Sequence, residues 1–290
     1  MLNYDALMGM TPVELEQSYT SLDSCIYALS VGCGLDPSDA WMRRYLGPLP
    51  PALTLPGLAS VVAAPRLYSL GLGLTMPSVL HGNQGLVVHA PLPTEGRLRS
   101  VSRVVSVFDR GDGRGSLLSM ARELYDSQAG THYASLLATY VCRSDQVAGA
   151  PPAAKPTGNS LPDRAPDIVV SVPTSPQAAQ LFALTGDQNP LHMVPEVAIK
   201  AGFPVPILHG MATYGICTAF AEKALCEAPG GRDSGRLGAI SGRFSAPVYP
   251  GETLDLALWH EAAGVRFEAR VPGRNVVVIT EGQIAIEEAF

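Results

Sequence analysis

The chain has 290 residues, 47% of them hydrophobic and 16% charged, and a formal net charge of −6, so it lacks the basic face that nucleic-acid binding needs. No apolar run is long enough to span a membrane, and the acidic start of the chain does not fit a signal or transit peptide. The sequence therefore predicts a cytoplasmic globular protein with neither a nucleic acid nor a membrane as its partner.

The cysteines contain no Cys-x-x-Cys pair, so the close ligand pairs of a structural zinc site are missing from the sequence. They lie mostly within apolar stretches, which predicts buried free thiols in a reducing compartment. The five cysteines are Cys25, Cys33, Cys142, Cys217 and Cys226.

The first part of the chain is predicted to begin with two helices. At residues 11–14 a threonine, a proline and an acidic residue are typical of a helix start. Further on, Leu22, Ile26 and Leu29 recur at helical spacing, and a glycine-rich loop follows at 32–37.

Three later segments are rich in Val, Leu and Tyr and are separated by turn residues, which predicts the strands 99–108, 116–124 and 131–142. An Arg-Gly-Asp-Gly-Arg-Gly run lies between the first two. It could be a phosphate-binding loop, but it joins two strands instead of opening a helix, so a hairpin turn is the better interpretation. Arg110 and Arg114 within this run remain candidates for contact with a phosphate of a ligand.

A segment rich in Pro, Ala and Gly, residues 146–166, has no periodicity and is predicted to link an N-terminal module, 1–145, to a C-terminal module, 167–290. The second module is predicted to open with a strand and a helix. A short helix and a long helix closed by Pro229, Gly230 and Gly231 should follow. Alternating segments then predict antiparallel strands. These elements are a strand at 168–172, helices ending at 184, spanning 195–200 and spanning 210–226, and strands at 254–258, 264–271 and 275–286.

Two pairs of segments repeat at nearly one offset. Tyr-Ala-Leu-Ser at 27–30 is similar to Phe-Ala-Leu-Thr at 182–185, and the segment 90–98 is similar to 246–254. Because the offsets are 155 and 156 positions, we interpret the chain as a tandem duplication of one α+β module.

Polar and titratable residues are crowded into an apolar run at 181–192, and His209 and Gly210 follow at 206–211. Turn formers around Asp187 predict an irregular loop that brings this carboxylate near His192. Such a pair can act as a general acid and base on one water molecule. The alternative is an ordinary capping aspartate and a packed histidine.

Three further residues have two interpretations each. Asn189 could bind the water or hold Asp187, or it could form only an Asx-turn. Gly210 begins the long helix, where free N–H groups can stabilise a developing oxyanion, or it could serve helix packing. His209 is interpreted as a packing or capping residue, although Asp187, His192 and His209 together could also be a non-heme iron site.

These residues carry a family resemblance. The runs Leu-Thr-Gly-Asp-Gln-Asn-Pro-Leu-His at 184–192 and Ala-Gly-Phe-Pro-Val-Pro-Ile-Leu-His-Gly at 201–210 resemble the signature of the hydratase 2 branch of the MaoC-like dehydratases. The resemblance implies a double hot-dog fold, with each module an antiparallel sheet wrapped around a long central helix. It also implies that the N-terminal module, which has no Asp after Gly32 and no His after Pro37, is non-catalytic and shapes the acyl pocket.

The resemblance further implies an (R)-specific enoyl-CoA hydratase. Asp187 and His192 would activate one water for syn addition to a trans-2-enoyl-CoA, with Gly210 and Asn189 binding the substrate. Independently of the resemblance, Arg110 or Arg114 is the candidate for contact with a CoA phosphate. No cofactor or metal is expected beyond the CoA of the substrate, and a homodimer is expected. The alternatives are a non-catalytic binder of acyl-CoA or acyl carrier protein, and a dehydratase for a branched or steroid side-chain acyl-CoA.

Overall fold

The computed structural model describes residues 2–154, 161–228 and 237–286, and these form two modules of one plan. The helices are α1 (Tyr4–Met8), α2 (Ser21–Ser30), α3 (Ala40–Arg43), α4 (Ala178–Ala183), α5 (Pro195–Lys200) and α6 (Gly210–Glu227). The strands are β1 (Leu2–Asn3), β2 (Val13–Tyr19), β3 (Val79–Val88), β4 (Gly96–Asp109), β5 (Ser116–Asp126), β6 (His132–Cys142), β7 (Val147–Ala148), β8 (Ile168–Pro173), β9 (Leu237–Phe244), β10 (Thr253–Glu261), β11 (Gly264–Val271) and β12 (Val276–Ile286).

Ten of the strands in the described residues form one antiparallel sheet, in the order β2-β4-β5-β6-β3-β9-β12-β11-β10-β8. The two modules meet where β3 pairs with β9, from Asn83 opposite Arg243 to Val87 opposite Ala239. Counted outwards from this seam, both halves have the same strand order. The sheet therefore repeats the same module twice, as the offsets in the sequence predict.

The long helix α6 is the centre of the second module. Every residue from position 212 to position 221 is buried, and the helix packs against β8, β9 and β10 of the sheet and against a turn of the first module. None of the helices in the described ranges combines the length and the apolar character that a membrane crossing requires.

The first module has no helix of comparable length among its described residues, although one was expected in each module. The counterpart of the start of α6 is a 3-10 turn, Pro56–Ser60, and this turn packs against α6 itself. Pro65 explains the difference, because proline has no N–H to donate and disfavours the helical conformation of the residue before it.

The helix predicted from the Thr-Pro-Val-Glu run is wrong, since β2 occupies this position. The strand pairs with β4, and Glu16 forms an ion pair with Arg97 across the two strands. These cross-strand contacts outweigh the local helix-start pattern. The true start of the helix is at Thr20, whose side chain and that of Asp23 form a capping box ahead of α2.

Both ends of the predicted linker are attached to the modules. Strand β7 pairs with β1, and Asp109 exchanges backbone hydrogen bonds with Pro151 and Ala153. At the other end the indole N–H of Trp259 donates to the carbonyl of Arg164 at 3.0 Å. Residues 155–160, and the predicted helix end at 229–231, lie outside the described residues.

Candidate active site

The loop after α4 is shaped by two turn-forming residues. Gly186 has φ +116°, a conformation that side-chain-bearing residues rarely adopt, although a Cβ there would meet nothing within 4 Å. Asn189 then caps a 3-10 turn, Pro190–His192, because its Oδ1 accepts the N–H of Leu191 at 3.1 Å. The chain therefore folds back on itself between Gly186 and His192.

This fold brings the predicted pair together. Asp187, His192 and His209 each have one potential ligand atom within 4.8 Å of those of the other two. Asp187 is exposed and the two histidines are buried. The Asp187 Oδ1 also accepts the backbone N–H of Asn189 at 3.2 Å, which restricts the orientation of the carboxylate.

His192 is oriented by the backbone. Its Nδ1–H donates to the carbonyl of Ile207 at 2.9 Å, and because a carbonyl only accepts, Nε2 is the nitrogen left for a ligand. Burial lowers the pKa of His192, while the bond to Ile207 and the charge of Asp187 oppose this effect. The imidazole is therefore neutral near pH 7, with a lone pair on Nε2.

His209 lies directly before α6 and is 1% exposed. Its Nε2–H donates to the backbone carbonyl of Asp187 at 3.1 Å, and its ring centroid lies 3.8 Å from that of His192 and 5.0 Å from that of Phe182. Burial, with a contribution from His192, lowers the pKa of His209 to about 4. The side chain packs as expected, and it also holds the main chain of the loop between Gly186 and His192, which the sequence did not indicate.

Gly210 is the first residue of α6, so its N–H belongs to the turn that has no intrahelical acceptor. A Cβ at Gly210 would lie 3.6 Å from the ring of Phe244, which is an ordinary contact. Packing therefore does not require a glycine here. An unobstructed N–H at the positive end of the helix is what a ligand oxygen would approach.

Asn189 has the contacts of a turn residue. Its side-chain oxygen accepts a hydrogen bond from Leu191. The contact with Asp187 is made by its backbone N–H and not by its side-chain amide. A direct contact between the Asn189 side chain and substrate stays a prediction.

The first module contributes a residue that the sequence analysis missed. The ring of His81, on β3, lies 5.1 Å from that of Phe244, the ring that faces Gly210. Burial lowers the pKa of His81 to about 4, while hydrogen bonds to Asn83 and Gln84 and the charge of Asp187 oppose this effect. The pairing of β3 with β6 has a register shift between His81 and Asn83, next to this side chain. No local sequence pattern predicts such a shift.

Arg110 and Arg114 lie in the hairpin between β4 and β5, as the preferred interpretation of that run predicted. Each guanidinium donates to the other residue's carbonyl, at 2.9 Å from Arg110 and 2.5 Å from Arg114. Part of their donor capacity is therefore used within the turn, and their contact with a phosphate stays a prediction.

A cleft of about 160 Å³ adjoins the start of the loop that carries Asp187 and His192. One of its sides consists of Leu184, Thr185 and Gly186, which directly precede Asp187. The other sides come from the first module. These residues are Gln17, Tyr19, Asp23, Ile26, Leu58, Val61 and Val62.

The alternative of a metal site depends on how the donor atoms are arranged. The Nδ1 of His192 and the Nε2 of His209 already donate to backbone carbonyls. The two rings are tilted by 32° with their centroids 3.8 Å apart, and these bonds leave one nitrogen of each ring, Nε2 of His192 and Nδ1 of His209, without a carbonyl acceptor. A metal-binding histidine commonly donates its other N–H to a carbonyl, so metal content together with chelator sensitivity is the test that separates a metal site from a proton-transfer pair.

Comparison with known proteins identifies the family of the chain. Residues 17–144 match the family model for the MFE-2 hydratase 2 N-terminal domain, and residues 158–282 match the model for the MaoC like domain. The chain is 33% identical over 273 residues to 3-hydroxyacyl-thioester dehydratase Y of Mycobacterium tuberculosis, covering 92% of both chains. It is also 33% identical to Enoyl-CoA hydratase ChsH3 of the same organism, covering 97% of both.

Solved structures give the same result for the fold. A MaoC-like dehydratase from Phytophthora capsici superposes with a TM-score of 0.81 at 25% identity, covering 99% of this chain and 98% of that one. A Mycobacterium tuberculosis protein with a double hotdog fold superposes with a TM-score of 0.54 at 18% identity, covering 98% and 96%. The predicted double hot-dog fold is confirmed, and the chain belongs to the MaoC-like dehydratase family, with a hydratase 2 N-terminal domain followed by a MaoC-like domain.

Proposed function

We propose that the protein is an (R)-specific enoyl-CoA hydratase that adds water reversibly to trans-2-enoyl-CoA and forms (3R)-3-hydroxyacyl-CoA. The observation that carries this proposal is the meeting of Asp187 and His192 in a loop whose preceding residues, 184–186, line a cleft. The relatives named enoyl-CoA hydratase and 3-hydroxyacyl-thioester dehydratase support it, because the two names describe one reaction in opposite directions.

The chemistry needs one water and no other reactant. The water oxygen bonds to C3 of the enoyl group, the C2–C3 double bond becomes single, and a proton is added at C2. His192 is neutral and its Nε2 can accept a hydrogen bond from the water, while Asp187 holds the water from the other side. The proton that leaves the water returns to C2 through this pair, so both parts add to one face.

The thioester oxygen gains negative charge while C2 is being protonated. In our proposal it lies against the N–H of Gly210 at the start of α6, where backbone donors and the helix dipole stabilise an anion. The packing at Gly210 supports this placement, since a Cβ there would meet the ring of Phe244 only at ordinary contact distance and packing therefore does not demand a glycine.

The acyl chain extends from the reacting carbons into the cleft. This cleft begins at the loop 186–192, which we call the catalytic loop. It is otherwise lined by the first module, which offers the apolar side chains Ile26, Leu58 and Val61. Burial of methylene groups against such surfaces favours binding. The first module therefore acts on the substrate without performing the chemistry.

The test is to follow the enoyl thioester absorbance of crotonyl-CoA and of a long-chain trans-2-enoyl-CoA, with a (3R)-specific dehydrogenase as reporter of the product. We expect turnover that the reporter accepts. Folded protein that binds CoA esters without turnover would support the alternative of a non-catalytic binder. Turnover of branched or steroid side-chain substrates only would support the specialised dehydratase.

Three further properties belong to the same proposal. CoA is part of the substrate, and we expect activity without an added cofactor or metal. A homodimer and a cytoplasmic location are also expected. Light scattering of the purified protein and imaging of a tagged chain in its own cells would check these two.

A further inference from the structure

A short segment replaces the central helix of the first module, and we call Pro56–Ala63 the strap. In a helix, the carbonyls of Ala59, Ser60 and Val62 would accept N–H groups from residues four positions later. In this structure they accept hydrogen bonds from the side chain of Arg122 instead. A single guanidinium therefore supplies the donors that the missing helix would have provided.

Arg122 lies on β5 and is 8% exposed. Its Nη1 donates to Val62 at 2.7 Å, and its Nη2 donates to Ala59 and Ser60 at 2.8 Å each. Burial lowers the pKa of this group to about 10, so it is still charged at neutral pH. Charge-assisted bonds from a planar donor to several carbonyls give a fixed geometry.

Two other side chains hold the end of the strap. The backbone N–H of Ala63 donates to Gln17 Oε1 at 2.7 Å, and the hydroxyl of Ser100 donates to the carbonyl of Ala63 at 2.6 Å. Ala63 has φ +47°, in the left-handed region that a residue with a side chain adopts only at a cost. The strap therefore depends on these contacts to keep its conformation.

The other end of the strap is fixed by close packing. A Cβ at Gly57 would collide with the hydroxyl of Tyr27, so only glycine permits this approach. Tyr27 is 2% exposed and belongs to α2. With both ends held, the strap has little freedom to move relative to the sheet.

The strap faces the cleft that we assign to the acyl chain. Its side chains Leu58, Val61 and Val62 line the cleft opposite the segment that ends at Gly186. We propose that Arg122 is a positioning residue that fixes the strap as the wall of the acyl cleft and so determines which chain lengths the protein accepts. This inference rests on the proposed function, because it assumes an acyl thioester in the cleft.

The proposal predicts an effect that depends on chain length. A short acyl group ends near the catalytic loop, which is held by α4 and α6 of the second module. A long acyl chain reaches the strap and is sensitive to its position. Loss of the Arg122 donors leaves three carbonyls without their partners, and the strap must repack to satisfy them.

The test compares Arg122→Met with Arg103→Met. Arg103 is an exposed arginine on the neighbouring strand β4, opposite Ala121, and makes a matched control. For Arg122→Met we expect kcat/KM for trans-2-dodecenoyl-CoA to fall about tenfold relative to that for crotonyl-CoA, mainly through KM. Arg103→Met should keep the wild-type ratio, and Arg122→Lys should restore it in part.

A second variant changes the wall without touching the Arg122 contacts. Val61→Phe places a ring in the cleft, and we expect the affinity for dodecanoyl-CoA to fall about tenfold relative to butyryl-CoA. These saturated thioesters require no turnover, so this result is independent of the hydratase proposal. A wild-type ratio in Arg122→Met would overturn the role of Arg122, and a wild-type ratio in Val61→Phe, or equal affinity of the wild-type protein for the two ligands, would overturn the assignment of the strap as the wall of the acyl cleft.

Discussion

Asp187 and His192 meet in the site with different surroundings, since the carboxylate is exposed and the imidazole is buried against the main chain. Replacement of either one should remove proton transfer without removing the cleft. We expect Asp187→Asn and His192→Gln each to lower kcat by about 10²- to 10⁴-fold with a modest change in KM. Steady-state kinetics with crotonyl-CoA measures this, and a loss below about fivefold would contradict the assigned roles.

His209 should make stability depend on pH. Its folded-state pKa of about 4 lies below the value of about 6.5 in an unfolded chain, so acid protonates the unfolded state first. The contribution is fully present above about pH 6.5 and is lost as the pH falls towards 4, with about 2 kcal/mol lost by pH 5.

Urea unfolding at neutral pH and near pH 5 measures this effect on the free energy of unfolding. His209→Gln should lose less stability between the two conditions than the wild-type protein does. His260→Gln changes an exposed histidine and serves as the control. Equal pH dependence in the wild-type protein and His209→Gln would contradict the assignment.

The local sequence was sufficient to predict the surroundings of some single residues and not those of others. Asp187 and His192 could be predicted because a turn motif places their two side chains five positions apart around one loop. The contacts of His81 and His209 could not, because they depend on β3 meeting the second module and on the depth of α6. Both residues acquire their surroundings only through tertiary packing.

Among the elements, α6 carries two glycines with opposite requirements. A Cβ at Gly210 meets only the ring of Phe244 at 3.6 Å, whereas a Cβ at Gly215 would lie 2.6 Å from Val31 and 2.8 Å from the hydroxyl of Tyr27. We expect Gly210→Ala to keep the stability and lower kcat/KM about tenfold or more, because the methyl group obstructs the oxyanion position. Gly215→Ala should lower the unfolding free energy by about 1–3 kcal/mol.

Thermal unfolding and kinetics on the two variants separate these effects. Because both variants replace a glycine of α6 by alanine, each serves as the control for the change in helix propensity in the other. If Gly210→Ala unfolds at a lower temperature and keeps its activity, the glycine serves packing, and our account of it is wrong.

The elements that the sequence predicted well are those with strong periodicity. Strands β5, β6 and β11 and helices α5 and α6 lie close to their predicted positions. Strands β3 and β9 were missed because each contains two glycines, which interrupt the alternation that marks a strand. At the seam, packing requires the glycine at position 242, since a Cβ at Gly242 would lie 2.8 Å from Ile279.

The helix α2 was predicted from an apolar stripe that is not its buried side. Leu22 and Leu29 are 55% and 44% exposed, while Tyr27 and Ala28 are in the core. Helical spacing alone therefore indicated the element but not its orientation. The orientation is decided by α4, against which α2 packs.

For the whole molecule, the seam between β3 and β9 joins the module that carries Asp187 and His192 to the module that lines most of the cleft. Neither module alone should be a stable and active enzyme. Separation exposes the edge of a central strand and removes most of the cleft. We expect fragments 1–154 and 161–290, produced together, to copurify and to recover hydration. Fragment 161–290 alone should aggregate or lack activity, and full activity of that fragment would contradict the role of the first module.

The central claim is that one pair of side chains delivers one water to one face of the enoyl group. The most direct measurement is the configuration of the product that crotonyl-CoA forms in deuterium oxide, read by NMR. Our account predicts a 3R hydroxyl with the deuterium at C2 on the same face. A 3S product, or deuterium on the opposite face, would contradict the single-water mechanism at Asp187 and His192.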